Sequence, residues 1–210
     1  MLRDWWFGGE WAAYERACGR DGERVRELMR ATWQTRVLDL RQDLPTLWRG
    51  VRRSYHAIIN RLERDLAFKI ALVGPALFLE WCQPLHAMAS GRVTRPLRSW
   101  KCQADWIDRD MAIALVALRD TTPADPEAVR AEPVGFAYII ISDTEAYYFS
   151  SAALEPNVQH ALQWKAIGIL KARGVQFYEL GWQGHATDEK GLSVEFFRRG
   201  FGGEDRTAKL

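Results

Sequence analysis

The stretch from Val134 to Leu180 constrains the fold of this chain most strongly. Two runs rich in β-branched and aromatic residues, Val134–Ile141 and Ala146–Ser151, flank a four-residue polar turn and predict a β-hairpin. A helix is then predicted between Pro156, a residue favoured in the first turn, and Gly174, a residue favoured just past a helix end. The apolar run Val175–Leu180 predicts one more strand. Strand, helix and strand together indicate a crossover unit in a mixed α/β protein.

The preceding residues alternate between strand-like and helix-like segments in the same manner. Apolar spacing and turn residues predict strands at Thr35–Leu40, Phe68–Val73 and Met111–Leu118, and helices at Thr46–Glu63, 76–91 and Ser99–Asp108, the last with Ser99 as N-cap. The proline-containing residues 119–132 are interpreted as a surface loop between paired strands.

The N-terminal 34 residues form a separate predicted unit. Apolar residues between Trp11 and Trp33 follow three- and four-residue steps, interrupted by Gly19 and Gly22. We therefore divide the chain into a helical extension, residues 1–34, and a main domain, residues 35–210. The extension is either a helix pair packed on the main body or the remainder of a larger N-terminal part.

Composition excludes several classes of protein. The hydrophobic fraction of 48% and charged fraction of 27% are typical of a folded globular protein, and no apolar run approaches the length of a membrane span. The three cysteines have no metal-ligand spacing, so we expect reduced thiols, no metal site and a cytoplasmic location without a signal peptide. The ten tryptophans are expected mostly in the core, with some lining a groove.

Charge is distributed unevenly along the chain. Residues 1–100 contain 17 Lys/Arg against 11 Asp/Glu, an excess of positive charge. Residues 101–210 contain 12 Lys/Arg against 16 Asp/Glu, an excess of negative charge. Arginines follow one face of the predicted helix at residues 46–63, among them Arg52 and Arg53. Such a row suits a phosphate or an RNA backbone, and it is equally compatible with an ordinary solvated surface.

A polar loop after residue 91 is the strongest candidate for substrate recognition. It combines Arg92 and Arg95, which can grip a carboxylate or phosphate, with Trp100, which can stack on a ring. His86 precedes the loop and Gln103 follows it. The alternative for His86 is a hydrogen-bonded side chain without a functional role.

The order and spacing of several segments resemble the acyltransferase domain of the FemABX-like proteins, a branch of the GNAT superfamily. The matching segments cover the chain from about Thr35 to Gly203. They are Val37–Leu40, Leu47–Asn60, Tyr147–Ser151, Leu162–Gly174, Phe177–Gly181 and Phe197–Gly202. The resemblance implies a GNAT-like, mostly antiparallel mixed sheet flanked by helices.

The resemblance also implies a function, the transfer of an acyl or aminoacyl group to an amine. The donor is expected to be aminoacyl-tRNA or acyl-CoA, with no permanently bound cofactor and an amine of a small molecule, amino sugar or peptide as acceptor. Where ordinary GNAT enzymes hold coenzyme A on a glycine-rich loop, this chain has Leu154–Val158 with Pro156, which removes a backbone donor and disfavours that binding mode. Arg198 stands where relatives usually have Lys, and Glu179 where they often have Asp.

The resemblance and the chemistry together select the site residues. The attacking amine must lose a proton, and we assign Glu179 as the base that takes it, with His160 or His86 as alternative bases. The oxyanion of the intermediate must be stabilised, and we assign Ser150 and Ser151 to this role. The predicted substrate-binding residues are His86, Arg92, Arg95, Trp100 and Gln103, together with Tyr148 from the matched segments. The predicted donor-binding residues are Arg52 and Arg53, together with Lys165, Arg198 and Phe201 from the matched segments.

Alternatives remain open for these residues and for the function. Glu179 can be a surface carboxylate paired with an arginine, and His160 can face solvent or cap its helix, while His185 is expected to be exposed. The protein can also be a degenerate, non-catalytic module that binds RNA or a protein, or an acetyl-CoA-dependent N-acetyltransferase. The sequence leaves the acceptor, the transferred group and the oligomeric state undetermined.

Overall fold

A central sheet of seven strands organises the molecule. The computed structural model describes residues 9–20, 23, 27, 32–121, 130–184 and 186–209. The strands are β1 (Thr32–Asp39), β2 (Phe68–Val73), β3 (Ala112–Thr121), β4 (Arg130–Ile141), β5 (Glu145–Ala153), β6 (Phe177–Gln183) and β7 (Glu204–Lys209). Their order is β2-β3-β4-β5-β6-β1-β7. Neighbours pair antiparallel, except that β5 and β6 run parallel, so the predicted mixed sheet is confirmed.

Helices cover both faces of this sheet. They are α1 (Trp11–Ala17), α2 (Leu44–Gly50), α3 (Arg53–Arg64), α4 (Pro75–Leu77), a π-helical turn (Phe78–Cys82), α5 (Gln83–Ser90), α6 (Leu97–Asp108), α7 (Val158–Ala172) and α8 (Glu189–Arg199). The helix α7 is the crossover that joins the parallel strands β5 and β6. Most of the helical residues predicted between 21 and 31 lie outside the described part of the chain, as does His185.

Two hydrophobic cores lie on opposite faces of the sheet. The face that we call the α7 face packs alternate strand residues such as Leu115 and Ile139 against α2, α3 and α7. The other, called here the α6 face, packs Val116 and Tyr138 against α1, α6 and the helical segment at residues 75–90. Because strand side chains alternate between faces, core membership assigns each site residue to one side of the sheet.

The prediction of a single helix from Thr46 to Glu63 is wrong, because two helices occupy this region. Val51 and Arg52 between them have extended backbone, with ψ angles of 138° and 134°. The Arg52 N–H donates to the Gly200 carbonyl at 2.7 Å instead of to a carbonyl one turn earlier. A tertiary hydrogen bond thus replaces the helical one at this point, and the buried Val51 side chain fixes the break.

Two further boundaries differ from the sequence prediction. The N-cap of α6 is Pro96, and Ser99 lies inside the first turn, where its hydroxyl donates to the Pro96 carbonyl at 2.8 Å. The strands β3 and β4 also extend into the predicted loop and pair Arg119 with Glu132. A register shift beside Pro133 accommodates the proline, which is tolerated at such irregular positions. Residues 122–129 of the predicted loop lie outside the described part.

The C-terminal part contains two elements that the sequence analysis left unassigned. Asp188 caps α8 by accepting a hydrogen bond from the Gly191 N–H. Gly202 and Gly203, both with positive φ, turn the chain into β7, which adds an antiparallel edge to β1. The first strand begins at Thr32, three residues earlier than predicted, because its residues 32–34 pair with this edge strand.

Candidate active site

The two parallel strands separate and form a fork at the centre of the sheet. The strands β5 and β6 pair from Glu145 with Phe177 to Tyr147 with Glu179. Beyond this point β5 continues beside β4 to Ala153, and β6 continues beside β1 to Gln183. In open α/β sheets, ligands bind beyond the carboxyl ends of parallel strands. By this rule, the fork is the expected position of a ligand in this sheet.

A β-bulge lies on each arm of the fork. On β5, Tyr148 pairs with Ile139 and Ser150 pairs with Tyr138, so that Phe149 is the extra residue. On β6, Glu179 pairs with Val37 and Gly181 pairs with Arg36, which leaves Leu180 as the extra residue. Bulges redirect the side chains that follow them. As a result, Ser150 lies on the α6 face with Tyr138, whereas Ser151 lies on the α7 face.

Glu179 also lies on the α6 face, because its neighbours Tyr178 and Leu180 both belong to the core of the α7 face. Its Oε1 atom accepts a hydrogen bond of 2.7 Å from the hydroxyl of the buried Thr35. Trp182, which is 41% exposed, packs against Trp33 with ring centroids 4.7 Å apart. The carboxylate of the β6 arm is therefore held by a hydroxyl of the neighbouring strand, and an exposed indole follows three residues later on the same arm.

Ser150 provides the polar group of the β5 arm on the same face. Its Oγ atom accepts a hydrogen bond of 2.7 Å from Arg95. Because the serine oxygen accepts from the arginine, the serine O–H proton remains available to donate to a ligand. From Tyr147, the residue opposite Glu179, to Ser150 the strand advances roughly 10 Å at most, given about 3.3 Å per residue. Glu179 and Ser150 thus lie on the same face of the sheet, one on each arm of the fork.

Arg95 connects three elements around the fork. It donates to the Tyr14 hydroxyl at 3.0 Å, to Nε2 of His86 at 3.1 Å and to Ser150. Its guanidinium lies 4.6 Å from the centroid of the Trp100 ring. Of the residues predicted for substrate recognition, His86, Arg95 and Trp100 thus lie together, although Trp100 itself is buried beneath the arginine. Tyr14 is a member of this group that the sequence analysis missed.

His86 is hydrogen-bonded to Arg95. Since an arginine can only donate, Nε2 of His86 must accept, and the imidazole is neutral with its proton on Nδ1. The Nδ1 atom lies 3.3 Å from the Thr94 hydroxyl and 3.4 Å from the Ser90 hydroxyl. Burial, reinforced by the charge of Arg95, lowers the pKa of His86 to about 4. A ring held in this way is poorly suited to act as a base near neutral pH.

The α7 face of the fork carries a buried polar network. The Tyr178 hydroxyl donates to Gln163 Oε1 at 2.7 Å, and the Tyr148 hydroxyl donates to Gln159 Oε1 at 3.1 Å. Gln159 donates in turn to the carbonyls of Phe136 and Ala152. Burial raises the pKa of both tyrosines, which keeps them protonated. Tyr148 is therefore bound within the protein and lies on the side opposite Glu179.

Arg198 closes the α7 face of the fork. Its Nη1 atom donates to the Trp182 carbonyl at 2.9 Å, and its Nε atom is buried without a hydrogen-bond partner among the described residues. A Cβ atom at Gly181 would stand 3.0 Å from this guanidinium, and Gly181 has a φ of 104°. Glycine at this position therefore allows both the bulge and the close approach of the arginine.

Several predicted site residues lie away from Glu179 and Ser150. His160 is on the α7 face, where it packs edge-on against Tyr55 at 4.2 Å, and burial lowers its pKa. Phe201, with 1% exposure, belongs to the core rather than to a donor-facing surface. Gln103 is fully buried and donates to the Ser99 carbonyl. A further group is exposed and is not among the fork contacts: Arg53, Arg92 and Lys165.

Arg52 is half-buried at the end of α8. Its guanidinium lies 3.6 Å from the Phe196 ring centroid and donates to the Tyr55 hydroxyl at 3.1 Å. No carboxylate pairs with it in the described part of the chain. Arg52 and Arg198 are thus two cations from neighbouring elements that could meet an anionic donor.

The loop before α7 is unlike a pyrophosphate cradle. Asn157 has a left-handed backbone, with a φ of 71°, and its side chain makes no capping hydrogen bond. Glu155 in the same loop forms an ion pair with Arg119 at 2.8 Å, and Arg119 also pairs with Asp65 at 2.9 Å. Two carboxylates share one arginine here, so the start of α7 carries a net negative charge that repels a phosphate.

Comparison with known proteins finds likeness in structure only. No protein-family model and no curated protein sequence matches the chain. FemX matches with a TM-score of 0.64 at 13% identity, over 84% of this chain and 59% of that one. The fold is GNAT-like. L-PGS from Bacillus licheniformis matches with a TM-score of 0.58 at 14% identity, over 90% of this chain and 63% of that one. The chain thus spans about three-fifths of the length of either structure.

The described residues contain neither a membrane-spanning helix nor a clustered set of metal ligands. None of the helices there combines the length and the apolar character that a bilayer-crossing segment needs. Nor do the described side chains include a cluster of three or more His, Cys, Asp or Glu residues arranged for a metal ion.

Proposed function

We propose that this chain is a transferase that moves an acyl or aminoacyl group to an amine of a small-molecule, amino-sugar or peptide acceptor. The observation that carries the proposal is the fork between β5 and β6, with Glu179 and Ser150 on one face at its opening. The GNAT-like fold and the segments that resemble the FemABX-like proteins support the same assignment.

Glu179 is assigned the role of the base. As the amine attacks the donor carbonyl, a C–N bond forms and the nitrogen must lose a proton. The carboxylate takes this proton, directly or through a water molecule, and returns it to the leaving group when the C–O bond of an ester or the C–S bond of a thioester breaks. The hydrogen bond from Thr35 orients the carboxylate toward the fork.

Ser150 is assigned the stabilisation of the oxyanion. Its hydroxyl oxygen already accepts from Arg95, so its O–H can donate to the negative oxygen of the tetrahedral intermediate. The adjacent guanidinium strengthens this donor by polarising it and adds a positive charge near the developing negative one. Ser151 lies on the other face of the sheet, so we do not assign it this role.

Aminoacyl-tRNA is the donor that the surface favours. Arg52 and Arg198 lie beside α8 on the α7 face of the sheet without a paired carboxylate among the described residues, and exposed arginines continue along α2 and α3. The Glu155 carboxylate in the loop before α7 opposes the usual binding of a coenzyme A pyrophosphate. An acyl-CoA held in another mode is the alternative donor.

The same arginines support a second candidate, a non-catalytic module that binds RNA. Arg49, Arg53, Arg61 and Arg64 are exposed and form no ion pair among the described residues. An RNA-binding surface would explain them without any reaction at the fork. The two candidates make different predictions for a single set of assays.

The deciding experiment incubates the protein with aminoacyl-tRNA and acyl-CoA donors and a panel of amines, and detects amide products by mass spectrometry. We expect a product that disappears in Glu179→Ala and persists in Glu63→Ala, a matched change of an exposed carboxylate on α3. Ribonuclease treatment that abolishes the product would identify tRNA as the donor. Full activity of Glu179→Ala would contradict the mechanism, and tight retention of RNA without any product would support the binding module.

A further inference from the structure

A small cavity opens beside Arg95 on the side away from Ser150. It has a volume of about 340 Å³ and lies between the helical segment at residues 75–90, the loop after Gly91 and the start of α6. Its lining includes the apolar Leu79 and Val93 and the polar Glu80 and Arg95. Ligand pockets range from about 300 to 1,000 Å³, so this volume is large enough for a small organic ligand and not only for a single ion.

Arg95 brings a positive charge to the cavity that no described residue neutralises. Its three hydrogen-bond partners, Tyr14, His86 and Ser150, are all neutral groups. These bonds use three of the five N–H groups of a guanidinium, so two remain for a ligand. A half-buried cation is costly unless an anion pairs with it. The arrangement therefore favours a bound carboxylate or phosphate.

Glu80 brings a negative charge to the same cavity. It is exposed, lies on the π-helical turn and forms no ion pair with Arg95 or with another residue of the described chain. Irregular π-turns are often found at functional sites, and this one directs Leu79 and Glu80 to the cavity wall. Two opposite charges at separate positions in one cavity match a ligand that carries both.

We infer that this cavity binds a small zwitterion, an α-amino acid with an apolar side chain, with its carboxylate on Arg95 and its ammonium group toward Glu80. The apolar part of the lining receives the side chain. Because Arg95 also contacts Ser150, an occupied cavity fixes the hydroxyl that we assign to the oxyanion. Only this link to the fork rests on the proposed transferase function, whereas the binding of the amino acid does not.

The test is an NMR titration that follows the Arg95 side-chain and Trp100 indole signals with three matched probes. L-leucine carries both charges, L-leucinamide lacks the carboxylate, and N-acetyl-L-leucine lacks the ammonium group. We expect each modified probe to bind about tenfold more weakly than L-leucine, since each loses one charged partner. Arg95→Gln is expected to abolish the preference for L-leucine over L-leucinamide, and Glu80→Gln the preference for L-leucine over N-acetyl-L-leucine.

Controls separate this proposal from folding defects and from the transferase function. Arg173→Gln, a change of an exposed arginine just past α7, is expected to bind all probes as the unmodified protein does. Arg95 holds other residues, so its variant is checked by thermal unfolding, while the exposed Glu80 can be replaced without that risk. Equal binding of the three probes, an unchanged Glu80→Gln preference, or inorganic phosphate binding more tightly than L-leucine would overturn the inference. L-leucine binding without any amide synthesis would instead count against the proposed function alone.

Discussion

Thr35 on β1 and Glu179 on β6 share a hydrogen bond of 2.7 Å from the threonine hydroxyl to the carboxylate. The two residues are joined across neighbouring antiparallel strands, and Thr35 is 1% exposed. A donor that cannot turn toward solvent holds its acceptor in one orientation. The carboxylate proposed as the base is thus fixed by the sheet itself, from a strand 144 positions away in the chain.

Thr35→Val tests whether this orientation matters for activity. The variant keeps the shape of the side chain but removes its O–H donor, so the Glu179 carboxylate loses an anchor. We expect kcat to fall about tenfold, equivalent to about 1.4 kcal/mol in the activation barrier, with little change in the KM of the acceptor. Thr207→Val is the matched control, because the Thr207 hydroxyl on β7 accepts a hydrogen bond from the exposed Gln34 side chain rather than bonding to a residue of the candidate site. Equal kcat values in the two variants would show that Thr35 has no positioning role.

The parts of this structure that a sequence can predict are those that depend on local patterns. Apolar periodicity and Pro/Gly punctuation predicted the hairpin, the α7 crossover and the parallel strand after it, since these signals lie within a few residues of each other. The position of Ser150 depends instead on the bulge at Phe149, which shifts the register against β4 by one residue. Simple alternation from Tyr147 would have placed Ser151 on the face of Glu179 and Ser150 on the other.

Long-range contacts account for the remaining differences at the candidate site. Arg52 leaves the helical pattern because its N–H meets Gly200, nearly 150 residues later. Thr35, Tyr14 and Trp182 join the site only through pairing and packing between distant segments, and nothing in their immediate sequence distinguishes them. Phe201 shows the opposite case, since its place in a glycine-rich tail suggests exposure although it fills the core.

Tyr178→Phe tests the buried polar network on the α7 face. The change leaves Gln163 Oε1 without its donor, while the Nε2 atom of the same amide already lacks a partner among the described residues. We expect the free energy of unfolding to decrease by about 1–3 kcal/mol in urea denaturation. Gln163→Leu alone should also destabilise, by leaving the Tyr178 hydroxyl unpaired.

The double variant Tyr178→Phe/Gln163→Leu distinguishes a lost hydrogen bond from lost packing. Because it removes both partners, it should be more stable than the sum of the two single effects indicates. Strict additivity of the single effects would mean that the pair is not coupled.

The variants Gly200→Ala and Gly168→Ala are expected to change the free energy of unfolding in opposite directions. A Cβ atom at Gly200 would collide with the ring of the buried Tyr55, whereas at Gly168 nothing lies within 4 Å. Gly200 has an ordinary φ of −65°, so its cost is steric rather than conformational. We expect Gly200→Ala to destabilise by about 1–3 kcal/mol and Gly168→Ala, inside α7, to stabilise by about 0.5–1 kcal/mol. Thermal and urea unfolding measure both, and a stable Gly200→Ala variant would contradict the close packing of α3 on α8.

His86 predicts a specific loss of stability in mild acid. Burial and the charge of Arg95 lower its pKa from 6.5 to about 4 in the folded protein. Between these values the unfolded chain binds a proton that the folded protein does not, so the free energy of unfolding decreases as the pH falls through this range. His86→Gln retains an acceptor for Arg95 and has no such titration, and its stability should therefore decrease less between pH 7 and pH 4.5. Urea unfolding of both proteins at the two pH values measures the difference. His160 and the carboxylates titrate in both proteins and contribute equally to the two losses. An equal decrease in the free energy of unfolding in both proteins would therefore contradict the neutral state assigned to His86.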